Sequence, residues 1–166
     1  MNLTIFAVFA GMLGLFPFLA AYLVELGADA ALAGAVLAAY SATNIVGNAA
    51  GGLVADRWGR AWPIRVGLAG AVVSFLLYGV PELEVVAAAH AAHGLMAGLV
   101  APAAFAWVGD RSRRAGRGRV MGRTGAAIAA AAVVAPAAGG ILAQRVGPWL
   151  VFALLALLTL AALVST

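Results

Sequence analysis

Long apolar runs, broken by short polar turns, set the pattern of this chain. Six segments stand out, at approximately 3–26, 31–54, 63–80, 84–108, 120–144 and 148–165. A bilayer core about 30 Å thick takes about 20 helical residues at about 1.5 Å each, so each segment has the length of a membrane crossing. The turns between them read GADA, ADRWGRAW, PEL, GDRSRRAGRGR and RVG. The pattern predicts an all-α integral membrane protein of six transmembrane helices in a single domain, 1–166. The first segment lacks a basic leader and its apolar run is too long for a signal-peptide core, so it reads as a retained span.

Charge sharpens this picture because it alternates from turn to turn. Arg57, Arg60 and Arg65 flank the second turn, and Arg111, Arg113, Arg114, Arg117, Arg119 and Arg123 crowd the fourth. Glu25, Asp29, Glu82 and Glu84 lie at the first and third, and only Arg145 stands on their side. Basic loops stay in the cytoplasm. That rule expects a multi-pass protein of the cell membrane with turns two and four, and both termini, cytoplasmic.

Composition agrees. The chain is 65% hydrophobic and 10% charged, against about 25% charged in soluble domains. Its net charge of +4 is accounted for by the basic turns, so nucleic acid is not an expected partner; the lipid bilayer is. The absence of cysteine excludes disulfides and thiolate metal sites. There is no phosphate loop with lysine, no nucleophile elbow and no metal-ligand cluster, so neither an enzyme nor a cofactor or metal is expected.

The spans are rich in small residues. Gly47 and Gly51, and Gly94 and Gly98, form two G-x-x-x-G pairs that let helix backbones approach closely. The chain also repeats itself. GGLVADRWGR at 51–60 returns as GGILAQRVGP at 139–148, with Gln144 in place of Asp56. Pro17 and Pro102 interrupt spans one and four, and Pro63 and Pro148 open spans three and six. Two three-span units, about 1–83 and 84–166, would have opposite orientations in the membrane, the 3+3 inverted repeat common in secondary transporters.

On these residues the chain resembles the N-terminal six-helix half of a major facilitator superfamily transporter. Gly52-Leu53-Val54-Ala55-Asp56-Arg57-Trp58-Gly59-Arg60 is similar to the family signature G-x-L-x-D-R-x-G-R, with Val54 for leucine and Ala61 where a second basic residue commonly follows. The stretch from His93 to Gly122 resembles the fourth helix and following loop of drug and metabolite exporters. Ala135-Pro136-Ala137-Ala138-Gly139-Gly140 resembles the exporter motif G-P-x-x-G-G, with Ala135 for its first glycine. The resemblance implies a conformational latch at Gly52, Asp56, Arg57, Gly59 and Arg60, in which the acid meets a helix N-terminus of the opposite half. A full family member has two such halves. The expectation is therefore a homodimer, Asp56 of one protomer meeting the fifth helix near 119–125 of its partner, or assembly with a separate six-helix half.

Polar groups inside the spans are the candidates for a proton or substrate pathway. His90 and His93 share one face of the fourth span. By resemblance His90 stands where relatives carry an arginine linked to proton coupling, and an unperturbed imidazole titrates near 6.5. Tyr40, Asn44 and Asn48, with Ser41 and Thr43, form a stripe on the second span. That stripe fits either a cavity wall or hydrogen bonds between helices. Met12, Phe16, Phe18, Met96, Phe105 and Trp107 are candidates for lining a cavity for lipophilic molecules. The expected function is a half-size transporter exporting small molecules in exchange for protons. The alternatives are an isolated half that folds without transporting and a non-transporting regulatory subunit.

Overall fold

The computed structural model describes residues 2–111 and 116–166. Arg113 and Arg114, counted above in the fourth turn, lie outside these residues. Among the described residues, seven helices follow one another: α1 (Asn2–Leu15), α2 (Leu19–Glu25), α3 (Ala30–Trp58), α4 (Ala61–Leu77), α5 (Leu83–Asp110), α6 (Arg117–Val146) and α7 (Pro148–Val164). No strand occurs among the described residues.

Seven helices stand where six segments were expected because the first segment is broken. α1 and α2 meet at 49° across residues 16–18. Pro17 sits in that break, where its ring removes a backbone donor and opposes a continuous helix. α3, α5 and α6 are each long and apolar enough to cross a membrane, and α1 with α2 qualifies as a bent pair. α4 and α7 are shorter apolar helices of 17 residues each.

The ends follow local chemistry. Asp29 caps α3, its carboxylate accepting from the Leu32 N–H at 2.7 Å. α3 continues past the expected end at 54 as far as Trp58, so Asp56 and Arg57 ride on the helix. What stops it is Gly59, at φ 87° and ψ 160°, a backbone region that a side chain rarely tolerates. α6 ends in the same way on Gly147, at φ 96° and ψ 160°, with Pro148 opening α7. α6 begins at Arg117, earlier than the expected 120, which brings Arg119 onto the helix with Arg123.

α5 lies against both α3 and α4, α1 packs on α6 and α7, and α4 meets α7. Glycine sets the closest approaches. A side chain on Gly51 would put Cβ 2.6 Å from the Leu99 carbonyl oxygen and 2.8 Å from Leu99 Cα. On Gly98 it would stand 2.5 Å from the Asn44 carbonyl oxygen. The two G-x-x-x-G pairs therefore face each other across α3 and α5 within one chain. Across α1 and α6, Gly139 meets the backbone of Gly14 in the same manner. Elsewhere large side chains fill the core, with Phe75, Tyr78 and Phe152 fully buried and Tyr78 stacked on Phe152 at 5.2 Å.

Polar contacts tie the ends of the bundle. Arg60 joins the α3–α4 turn to Asp110 at the end of α5, and Arg65 donates to the Thr166 carbonyl at 3.1 Å. The Tyr22 hydroxyl donates to the Tyr78 carbonyl at 3.3 Å, linking α2 to the end of α4.

Candidate functional site

A cavity of about 260 Å³ opens between α1, α3 and α5. Its wall is apolar at Met12, Phe16 and Leu37, and carries Tyr40, Ser41 and His90. The bend after Leu15 leaves Phe16 exposed at this opening.

Behind the cavity wall the two histidines form a compact aromatic cluster. The Tyr78 hydroxyl lies 2.6 Å from His90 Nδ1 and 3.4 Å from His93 Nδ1. The Tyr40 ring is centred 5.2 Å from each imidazole. Phe75 contacts His93 edge-on at 4.6 Å. Both histidines are buried, at 6% and 1% exposure, and only His90 reaches the cavity wall. The expected common face of His90 and His93 is thus occupied by one shared partner, Tyr78.

The polar stripe of α3 divides between the two roles that the sequence left open. The Thr43 hydroxyl donates to the Ala91 carbonyl at 2.7 Å, and the Asn44 amide donates to the Gly94 carbonyl at 3.0 Å. Both cross to α5 as interhelical bonds. Asn48 instead bonds Asn44, donating to its side-chain oxygen at 2.8 Å. Tyr40 and Ser41 face the cavity. Of the other apolar candidates, Met12 and Phe16 line it. Phe18 packs on Phe152 at 5.8 Å and Trp107 lies under the Arg111 guanidinium at 4.4 Å. A Cβ on Gly70 would strike Met96, and Phe105 is exposed.

At the α3–α4 turn, Arg60 pairs with Asp56 one helical turn earlier and with Asp110 at 3.2 Å. The bonds it donates to Asp56 and then to Asp110 hold the Arg60 guanidinium above its ordinary value, so it stays charged at any working pH. Asp56 remains largely exposed, and Arg57 and Gly59 are exposed beside it. Gly52 meets no neighbour within 4 Å, whereas Gly51 carries the close approach.

The helix-six motif lies against the break in α1–α2. Ala135 is buried with Ala10 and Ala131, Gly139 touches Gly14, and a Cβ on Gly140 would stand 3.2 Å from Pro17 Cβ. Pro136 sits inside α6 without ending it. Two participants escaped the sequence reading. Tyr78 lies at the C-terminal end of α4, twelve residues before His90, and only its position at a span end in aromatic company marked it. Asp110 was signalled by being the one acid within an arginine-rich turn.

Long apolar helices, held glycine to backbone beside a cavity with an ionisable wall, are the architecture of a polytopic membrane protein. The sequence profile of the Major Facilitator Superfamily matches residues 1–166, and the chain belongs to that family. Its members are transporters rather than enzymes. Among curated proteins, the quinolone resistance protein NorA of Staphylococcus aureus is 28% identical over 141 residues, covering 84% of this chain and 36% of NorA. Multidrug resistance protein 2 of Bacillus subtilis (strain 168) is 26% identical over 140 residues, covering 84% of this chain and 35% of that protein. The match thus takes in little more than a third of either relative.

Proposed function

We propose that this chain forms a six-span, half-size unit of a secondary exporter, moving small lipophilic molecules outward in exchange for protons. The observation that carries this reading is the cavity between α1, α3 and α5, apolar but for Tyr40, Ser41 and the one titratable imidazole, His90. An ionisable group inside a membrane span is costly unless it has work to do. Relatives named for quinolone and multidrug resistance support a drug-like cargo.

Two three-span units in inverted repeat account for the pairing of features along the chain. Gly59 and Gly147 end α3 and α6 with matching dihedrals. Gly51 packs on Leu99 of α5 as Gly139 packs on Gly14 of α1. α4 and α7 have equal lengths. The basic turns orient both termini toward the cytoplasm.

A closed pathway takes a second six-span unit, either another copy of this chain or a separate half. Exposed Asp56 is the group offered to it, and in this reading it exchanges Arg60 for the N-terminal end of the second unit's helix. Because the chain has no cysteine, Asp56→Cys with Gly122→Cys tests the homodimer directly. Oxidation in membranes yields covalent dimers if two copies pair; monomers alone overturn the homodimer and point to a separate half.

Transport is tested in proteoliposomes with ethidium, whose permanent charge prevents a pH gradient from redistributing it unaided. An imposed gradient accelerates its movement through the native protein, and His90→Ala removes the acceleration without lowering the reconstituted amount. Gradient-independent movement in both proteins overturns proton exchange at His90.

A further inference from the structure

We propose that Tyr78 joins His90 and His93 into one proton wire, carrying a proton between the cavity wall and the buried side of α5. The inference rests on the proton-exchange reading of His90 and adds a positioning residue and a route behind it. Its basis is that one hydroxyl stands within reach of the Nδ1 atoms of both rings, at 2.6 and 3.4 Å.

A tyrosine hydroxyl has one proton to donate and lone pairs to accept with. A phenol is a stronger acid than a neutral imidazole N–H, so the short contact is the hydroxyl donating to His90 Nδ1. His93 Nδ1–H then donates to the same oxygen along the longer contact. This assigns opposite tautomers to the rings: His90 carries its proton on Nε2, and His93 on Nδ1. With His90 Nδ1 turned to Tyr78, Nε2 is the nitrogen left for the cavity that His90 lines.

The atoms balance through a full transfer. A proton binds the bare Nε2 of His93. The Nδ1–H bond of His93 breaks as a new bond forms to the Tyr78 oxygen. The hydroxyl's original proton passes to His90 Nδ1, and His90 releases its Nε2 proton to the cavity. Each group ends neutral, with the hydroxyl now donating to His93 and both tautomers reversed. The next proton must therefore travel the other way, entering at His90. The wire resets only by running in reverse or by rotation of its groups.

The surroundings suit such a relay. Among the described residues, the titratable groups that face the pair are Tyr40 from α3 and Tyr78 from α4. α7 presents Phe152 to Tyr78, and from α2 Tyr22 donates to the Tyr78 carbonyl. From α1, Gly11 packs against the same cluster: a Cβ there would stand 2.8 Å from Phe75 Cζ and 3.5 Å from His93 Nε2, the nitrogen where the wire begins.

The chain has two histidines, so nitrogen-15 NMR of the histidine-labelled, tag-free protein in lipid nanodiscs resolves both rings, and His90→Ala assigns them. The expected spectrum of the native neutral protein shows one Nε2–H ring, His90, and one Nδ1–H ring, His93. In Tyr78→Phe the His93 pattern is lost and its ring reverts to Nε2–H, the form a free imidazole favours. A native spectrum with both rings in the same tautomer overturns the wire, and that measurement needs no variant to fold. A Tyr78→Phe spectrum identical to the native one overturns it as well. The spectrum reads the wire without any flux. Ethidium movement that ignores the gradient therefore counts against proton exchange while leaving the tautomer result standing.

Discussion

At the scale of single residues, two neighbouring glycines in one motif have different fates. Gly51 faces Leu99 at contact distance, and Gly52 faces nothing within 4 Å. Gly51→Ala drives a methyl into a backbone that cannot swing aside, a form of overpacking that costs about 1–3 kcal/mol. Gly52→Ala adds no clash and gains up to about 1 kcal/mol of helix propensity. Unfolding of the two variants in mild detergent checks this, and equal effects would mean that α3 is rotated from its described position. The sequence marked both glycines and had no means to choose between them. Residues 49–55 of α3 are all small or apolar, so nothing local tells which of the two glycines meets α5. The choice is made by the partner backbone, at Leu99 of α5 some fifty residues away.

At the scale of helices, polar side chains decide how α3 holds α5. The Thr43 hydroxyl reaches across to the Ala91 carbonyl, which already serves as a helix acceptor. Thr43→Val keeps the shape and removes the bond. Interhelical hydrogen bonds of this kind average about 0.6 kcal/mol, with a maximum near about 1.7, so the variant loses stability in that range, read by unfolding in detergent. The break between α1 and α2 is a different sort of feature. Pro17→Ala restores the missing donor, and a spin-label pair spanning Asn2 and Glu25 moves apart as the 49° bend opens toward a straight helix. An unchanged distance would assign the bend to packing on Gly140 rather than to the proline. Proline marked this bend in advance, although Pro102, expected to interrupt its span in the same way, lies inside an unbroken α5. The extension of α3 to Trp58 was less legible, because charges were taken to end a span. In fact Asp56 and Arg57 are helical until Gly59 breaks the turn, and only a positive φ marks that position.

At the scale of the whole molecule, the question is which surface faces lipid and which faces water or a second unit. The resemblance identified the family and the alternation of charge marked the arginine-rich turns, yet the cavity itself was only half readable. The α3 stripe was visible as polar, but its division into interhelical bonds at Thr43 and Asn44 and cavity wall at Tyr40 and Ser41 depends on where α1 and α5 stand. The missing cysteines make this division testable one position at a time. Ser41 borders the cavity, whereas Ile45, one turn along α3, is exposed as bare aliphatic surface. If the cavity carries water, as a proton-exchanging site demands, a charged thiol reagent modifies Ser41→Cys in membranes far faster than Ile45→Cys, because thiolate forms only where water reaches. Equal protection of both would mean that lipid, not water, fills the opening between α1 and α3. Protection of Ser41→Cys that appears only in cross-linked dimers would instead mean that a second copy closes the cavity. That outcome would join the latch proposed at Asp56 and the pathway proposed at His90 in one assembly, since the unit that receives Asp56 would also supply a wall of the cavity.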